Sequence, residues 1–182
     1  MIGDILRKRK YDKGADRLGP DVPFTHWRLY FKKTMLKLCK KKFKHFSDTS
    51  DFRAGAYAIV CSKISIGKRV VIRPGTMLFA DPVKGGAGIT IEDDAMVGSC
   101  VHFYVGNHSF KNTNVPIIEQ GHSNSKPIVV KKGCWIGANV TILPGVVIGE
   151  NSVIGAGSVV TKSVPNKVVA AGNPAKIIKN LD

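Results

Sequence analysis

The sequence predicts a mainly β protein: a parallel β-helix of short strands, with a basic helical segment ahead of it and a short helix behind. Three observations predict it. Apolar residues recur every six positions over long stretches of residues 60–160. Glycine follows the aliphatic residue in IGKRVV, VGSCVH, IGANVT, IGENSV and IGAGSV. The run IGANVTILPGVVIGENSVIGAGSVV is too rich in glycine and β-branched residues for an α-helix. A fixed short period of this kind marks a repeat architecture.

A hexad makes one short strand and one turn, so three hexads close an 18-residue triangular coil. The aliphatic residue points inward and stacks on its equivalents in the next coil, about 4.8 Å away as in any sheet ladder. Glycine is expected to supply turn geometry that a Cβ would hinder. The rungs run Val60, Ile66, Ile72, Leu78, then Ile91, Val97, Phe103, then Val130, Ile136, Ile142, Ile148, Ile154, Val160. Seven extra residues, including KGGAG, follow the Leu78 hexad, and 21 extra residues (109–129) follow Phe103. Excursions of that length in a compact repeat are usually functional. The chain therefore divides into a basic segment (1–55), the solenoid (56–165, with excursion loop 109–129) and a C-terminal cap with a short basic helix (166–182).

The 182 residues are 43% apolar, enough for a real core, and no apolar run reaches the length of a membrane span. The N-terminus lacks the apolar stretch of a secretory signal, and the four cysteines show neither metal-site spacing nor disulfide density. These features predict a cytoplasmic protein. Net charge is +15, and residues 1–46 hold 14 basic against 4 acidic residues. Within 26–46, Trp27, Phe31, Met35, Leu38, Phe43 and Phe46 alternate with lysines as in an amphipathic helix. Its apolar stripe can pack on the solenoid, and its lysine face can meet the inner face of an anionic membrane. Nucleic acid is disfavoured because the aromatics are expected on the buried stripe.

The stretches VHFYVGNHSF, WIGANVTILPGVVIGENSVIGAGSVVTKSVP and AAGNPAKII resemble hexapeptide-repeat acyltransferases. They are most similar to the galactoside, maltose and surface-polysaccharide O-acetyltransferase branch. The resemblance implies a left-handed β-helix, acetyl-CoA as co-substrate, and a homotrimer whose active sites lie between subunits. Acyl transfer from a thioester to a hydroxyl removes one proton, and imidazole suits this because its reference pKa is about 6.5. Of the five histidines, His108 in NHSF matches the family's catalytic position. His122 reaches from the loop toward the acceptor, and Asp81 falls near the carboxylate that sugar-acetylating relatives hold against substrate hydroxyls. Cys134 fills a small-residue hexad position and Cys100 a turn, so direct attack in a ternary complex is preferred to a cysteine-bound intermediate.

Ala138 and Ala156 are one coil apart, leaving a shallow track for a pantetheine arm. Backbone N–H groups near Gly137 could stabilise the thioester oxyanion. The resemblance places Trp135 beside CoA and gives Thr161, Lys162, Lys176 and Lys179 to its phosphates. Lysines stand at 176 and 179 where galactoside-type enzymes often carry arginine, weakening bidentate contact. The acceptor is expected to be a saccharide, with N-acetylation of a nucleotide-linked amino sugar as the alternative. A zinc enzyme of the γ-carbonic anhydrase kind is remote, since His102, His108 and His122 do not match its spacing and AGNPAK would be unexplained. No metal is expected.

Overall fold

The computed structural model describes residues 14–19 and 25–182, so much of the basic N-terminal run lies outside the described residues. Five coils form a left-handed, three-faced column. The first face carries β2 (His45–Phe46), β5 (Ile64–Ile66), β8 (Ile89–Ile91), β11 (Ile128–Val130) and β14 (Val147–Ile148). The second carries β3 (Asp51–Phe52), β6 (Val71–Ile72), β9 (Met96–Val97), β12 (Trp135–Ile136), β15 (Val153–Ile154), β17 (Val168–Gly172) and β18 (Ala175–Asn180). The third carries β1 (Arg17–Leu18), β4 (Tyr57–Ile59), β7 (Met77–Phe79), β10 (His102–Tyr104), β13 (Thr141–Ile142) and β16 (Val159–Val160). The chain visits first, second and third face in turn, and successive coils pair in parallel.

The inward rungs stack in register. Phe46, Ile66, Ile91, Val130 and Ile148 fill the first face. Phe52, Ile72, Val97, Ile136 and Ile154 fill the second, and Ala58, Leu78, Phe103, Ile142 and Val160 the third. All are buried, and burial of each large side chain is worth about 1.5–3 kcal/mol. Where the corner position ahead of a rung is a hydroxyl residue, it ties neighbouring coils. Buried Thr76 donates to Gly98 O at 2.8 Å, and buried Ser152 donates to Pro165 O at 2.6 Å.

The hexad glycines have a different reason from the one expected. A Cβ at Gly137 would lie 2.6 Å from Ala156 N, and one at Gly149 would lie 2.3 Å from Pro165 C. These glycines let one coil's backbone lie against the next. Left-handed φ falls two residues later, where Asn139 (57°) and Asn151 (53°) supply it as readily as Gly145 (82°).

Four expectations are corrected, in the first coils and at the ends. The column begins at His45, inside the segment assigned to 1–55, because Phe46, Phe52 and Ala58 are rungs. Two extra residues before Ile66 then shift the phase, so Val60 is a left-handed turn residue (φ 56°) and not a rung. The 26–46 helix is two pieces, α1 (Thr25–Leu29) and α2 (Lys32–Lys42). Met35, Leu38 and Cys39 of α2 are buried over the first coil, whereas Trp27 and Phe31 are exposed. The C-terminal helix is a strand: β18 returns antiparallel on β17, pairing Lys176 with Ala171 and Lys179 with Val169. The free edge of β17 gives the backbone of AKIIKN more partners than a short isolated helix would.

Candidate active site

The loop after Phe103 leaves from the corner where the third face turns back to the first. Its two arms form a short antiparallel stem. Lys126 N donates to Val105 O (2.8 Å), Ser123 N to Asn107 O (2.9 Å) and Ser109 N to Gly121 O (3.0 Å). His108 and His122 bridge across this stem, with ring centroids 4.4 Å apart and planes tilted by 34°. Gln120 knits the tip, accepting from Asn112 N and donating to the carbonyls of Asn112 and Val115. The stem therefore presents two imidazoles side by side and exposed.

Asp81 stands at the same corner, one coil lower. Its backbone N donates to Ala87 O at 3.0 Å, and its carboxylate accepts from Val83 N at 2.9 Å. Lys63 Nζ donates to its carbonyl at 2.6 Å. Ser125 accepts from Ala87 N at 2.9 Å, which stitches this insertion to the base of the histidine loop. A hydrogen bond from the Ser125 hydroxyl, helped by Val83 N and the charges of Lys63 and His122, holds the Asp81 carboxyl below its ordinary pKa. A crevice lined by Asp81, His122, Ser123, Phe79 and Tyr104 opens here. Phe79 and Tyr104 stack with centroids 5.1 Å apart and planes 4° from parallel.

A second groove runs up the corner between the second and third faces. Trp135, Gly137, Ala138 and Ala156 line it with Arg73, Gly98, Ser99 and Gly155. Its floor is low because Gly98, Gly137 and Gly155 stand directly over backbone or Ala171 of the coil above. Trp135 projects from the outer surface of the second face, 52% exposed, between Met96 and Val153.

The structure thus gathers the expected residues into two groups. His108, His122 and Asp81 share the corner after the third face, and Trp135, Gly137, Ala138 and Ala156 share the corner before it. Thr161 and Lys162 follow β16, so they lie on the histidine corner two coils above His108's coil. Lys176 and Lys179 sit exposed on β18 over the second face. Sequence reasoning missed Ser125, Arg73 and the Phe79–Tyr104 wall. Arg73 was within reach, because it follows rung Ile72 as Gly98 follows Val97; nothing in HSNSK singled out Ser125.

Burial pushes the thiols of Cys39 and Cys134 up, and that of Cys61 up to about 12. None of these three is poised as a nucleophile. Among the described residues, no three His, Cys, Asp or Glu side chains gather as a metal site within the chain.

The three-faced hexapeptide column defines a class that known proteins share. The profile of the bacterial transferase hexapeptide (six repeats) matches residues 127–162. Galactoside O-acetyltransferase of Escherichia coli K12 is 42% identical over 145 residues, covering 80% of this chain and 68% of that protein. The putative colanic acid biosynthesis acetyltransferase WcaF of the same strain is 35% identical over 142 residues, covering 70% and 75%. A galactoside acetyltransferase solved in complex with coenzyme A superimposes with TM-score 0.74 at 30% identity, covering 86% of this chain and 78% of that one. This chain belongs to the hexapeptide-repeat acetyltransferases, solved members of which hold coenzyme A or acetyl-CoA.

Proposed function

We propose that the protein transfers the acetyl group of acetyl-CoA to a hydroxyl of a saccharide at a site completed between two copies of the chain. His108 is the general base. It takes the proton from the acceptor hydroxyl as the oxygen attacks the thioester carbon directly, and backbone N–H groups near Gly137 stabilise the oxyanion. Collapse breaks the C–S bond, and the proton on His108 passes to the departing thiolate. The products are an O-acetyl ester and CoA.

Asp81, ionised because Ser125 and Val83 N donate to it, is suited to accept hydrogen bonds from sugar hydroxyls, with His122 beside it. The half-buried aromatic wall of Tyr104 and Phe79 suits the apolar face of a sugar ring. The groove of Trp135, Ala138 and Ala156 would take the pantetheine arm, and Thr161, Lys162, Lys176 and Lys179 the phosphates.

One observation carries the reading. The imidazoles and the donor groove occupy neighbouring corners of one column, with the whole third face between them. A second copy presenting its groove corner to this chain's histidine corner would bring the two together, and a threefold ring closes such head-to-tail contacts. A panel of sugars and nucleotide-linked amino sugars, followed by thiol release, tests the acceptor class. Release with hydroxyl acceptors is expected; release only with amino sugars would overturn O-acetylation.

A further inference from the structure

We propose that the helix pair at the base of the column docks on an anionic phospholipid surface. Residues 25–46 contain eight lysines and arginines and no carboxylate. Lys40 pairs with Asp48, and Lys42 donates to Ala15 O. Among the described residues no ion pair engages Arg28, Lys32, Lys33, Lys37, Lys41 or Lys44. The buried side of α2 is consumed by the column through Met35, Leu38 and Cys39, which turns its lysines outward.

Beside these cations the chain exposes three rings within little more than one helical turn: Trp27 (72%), Tyr30 (68%) and Phe31 (58%). They fall within five residues where the chain turns from α1 into α2, in a turn held by Tyr30 N to Trp27 O (3.3 Å) and Phe31 N to Arg28 O (3.4 Å). Exposed large aromatics rimmed by cations are the composition of an interfacial contact. The rings enter the headgroup boundary while the cations meet anionic lipid.

Charge complementarity selects this occupant. A second copy would set the same acid-free segment against itself, which like charge opposes. Single-stranded nucleic acid needs rings spread along a basic groove, and these are crowded at one helix end. The surface lies at the opposite end of the column from β18, and the acetyl-transfer corners run along the column's sides. The inference stands apart from the catalytic reading.

The test is co-sedimentation of the full chain with vesicles of phosphatidylcholine alone, or of equal parts phosphatidylcholine and phosphatidylglycerol. Binding is expected only with the anionic vesicles, and about tenfold weaker when salt rises from about 0.1 to about 0.5 M. The variants Trp27→Ala/Phe31→Ala and Lys32→Glu/Lys33→Glu/Lys37→Glu should each lose about tenfold or more in partitioning. Both should keep wild-type CoA affinity, and their exposed positions leave the core untouched. Equal binding to neutral vesicles, no sedimentation, indifference to either variant, or capture of a single-stranded oligonucleotide instead of vesicles would each overturn the proposal.

Discussion

His108→Ala and Ala156→Trp damage different corners of the same chain. The first removes the imidazole, which as a general base is worth about 10²–10⁴-fold in rate. The second sets an indole in the donor groove; Ala156 is exposed, so the new side chain need not enter the core. Each variant alone should be nearly inactive. Suppose the two are co-expressed at equal levels and assemble at random into closed head-to-tail rings. An interface works when its histidine comes from an Ala156→Trp chain, chance one half, and its groove from a His108→Ala chain, chance one half. The product is about one quarter of wild-type turnover, whatever the ring size. Thiol release under saturating acetyl-CoA reads it directly. A site completed inside one chain would give no recovery, because every chain then carries one lesion, and that result would refute the two-corner assembly.

Replacing Lys162 and Lys176 together by Ala should raise the KM for acetyl-CoA about tenfold or more with a smaller effect on kcat, because phosphate contacts bind ground and transition states alike. The Asp81 carboxyl is held below its ordinary pKa, so its proposed hold on the acceptor should fade only as pH falls through that depressed value. Its contribution to folding follows the same sign, present above the unfolded pKa and lost below the folded one. Ser125→Ala removes the largest cause of the depression, so the rise in acceptor KM on acidification should begin at higher pH; an unmoved profile would contradict this. Phe103→Ala empties a fully buried rung of the third face and should cost about 3–5 kcal/mol in denaturant unfolding.

The solenoid was legible in its six-residue period, from Ile66 to Leu78, from Ile91 to Phe103 and from Val130 to Val160. The first coil hid because its rungs are Phe46, Phe52 and Ala58, with no glycine behind them, and a two-residue insertion then broke the phase. AKIIKN misled because its composition suits either a helix or a strand, and the deciding partner, the open edge of β17, exists only in the folded column. Trp27 and Phe31 fit the helical period of Met35 and Leu38. The break between α1 and α2 takes them off the buried stripe, and pattern alone does not reveal that break. At the site, His108 came from the resemblance carried by NHSF, and Ala138 and Ala156 from their spacing of one coil. The sharing of one corner by Asp81 and Ser125 came from the fold, where Ala87 N donates to Ser125 across 38 residues of chain.

The antiparallel strands at either end have a further meaning. Every layer of the column displays amide and carbonyl rows that fit an identical layer, so nothing within a hexad says where growth should stop. Arg17–Leu18 against β4 and Ala175–Asn180 against β17 run the wrong way for continued winding. They act as terminators, fixing the number of layers in a design that would otherwise invite end-to-end polymerisation.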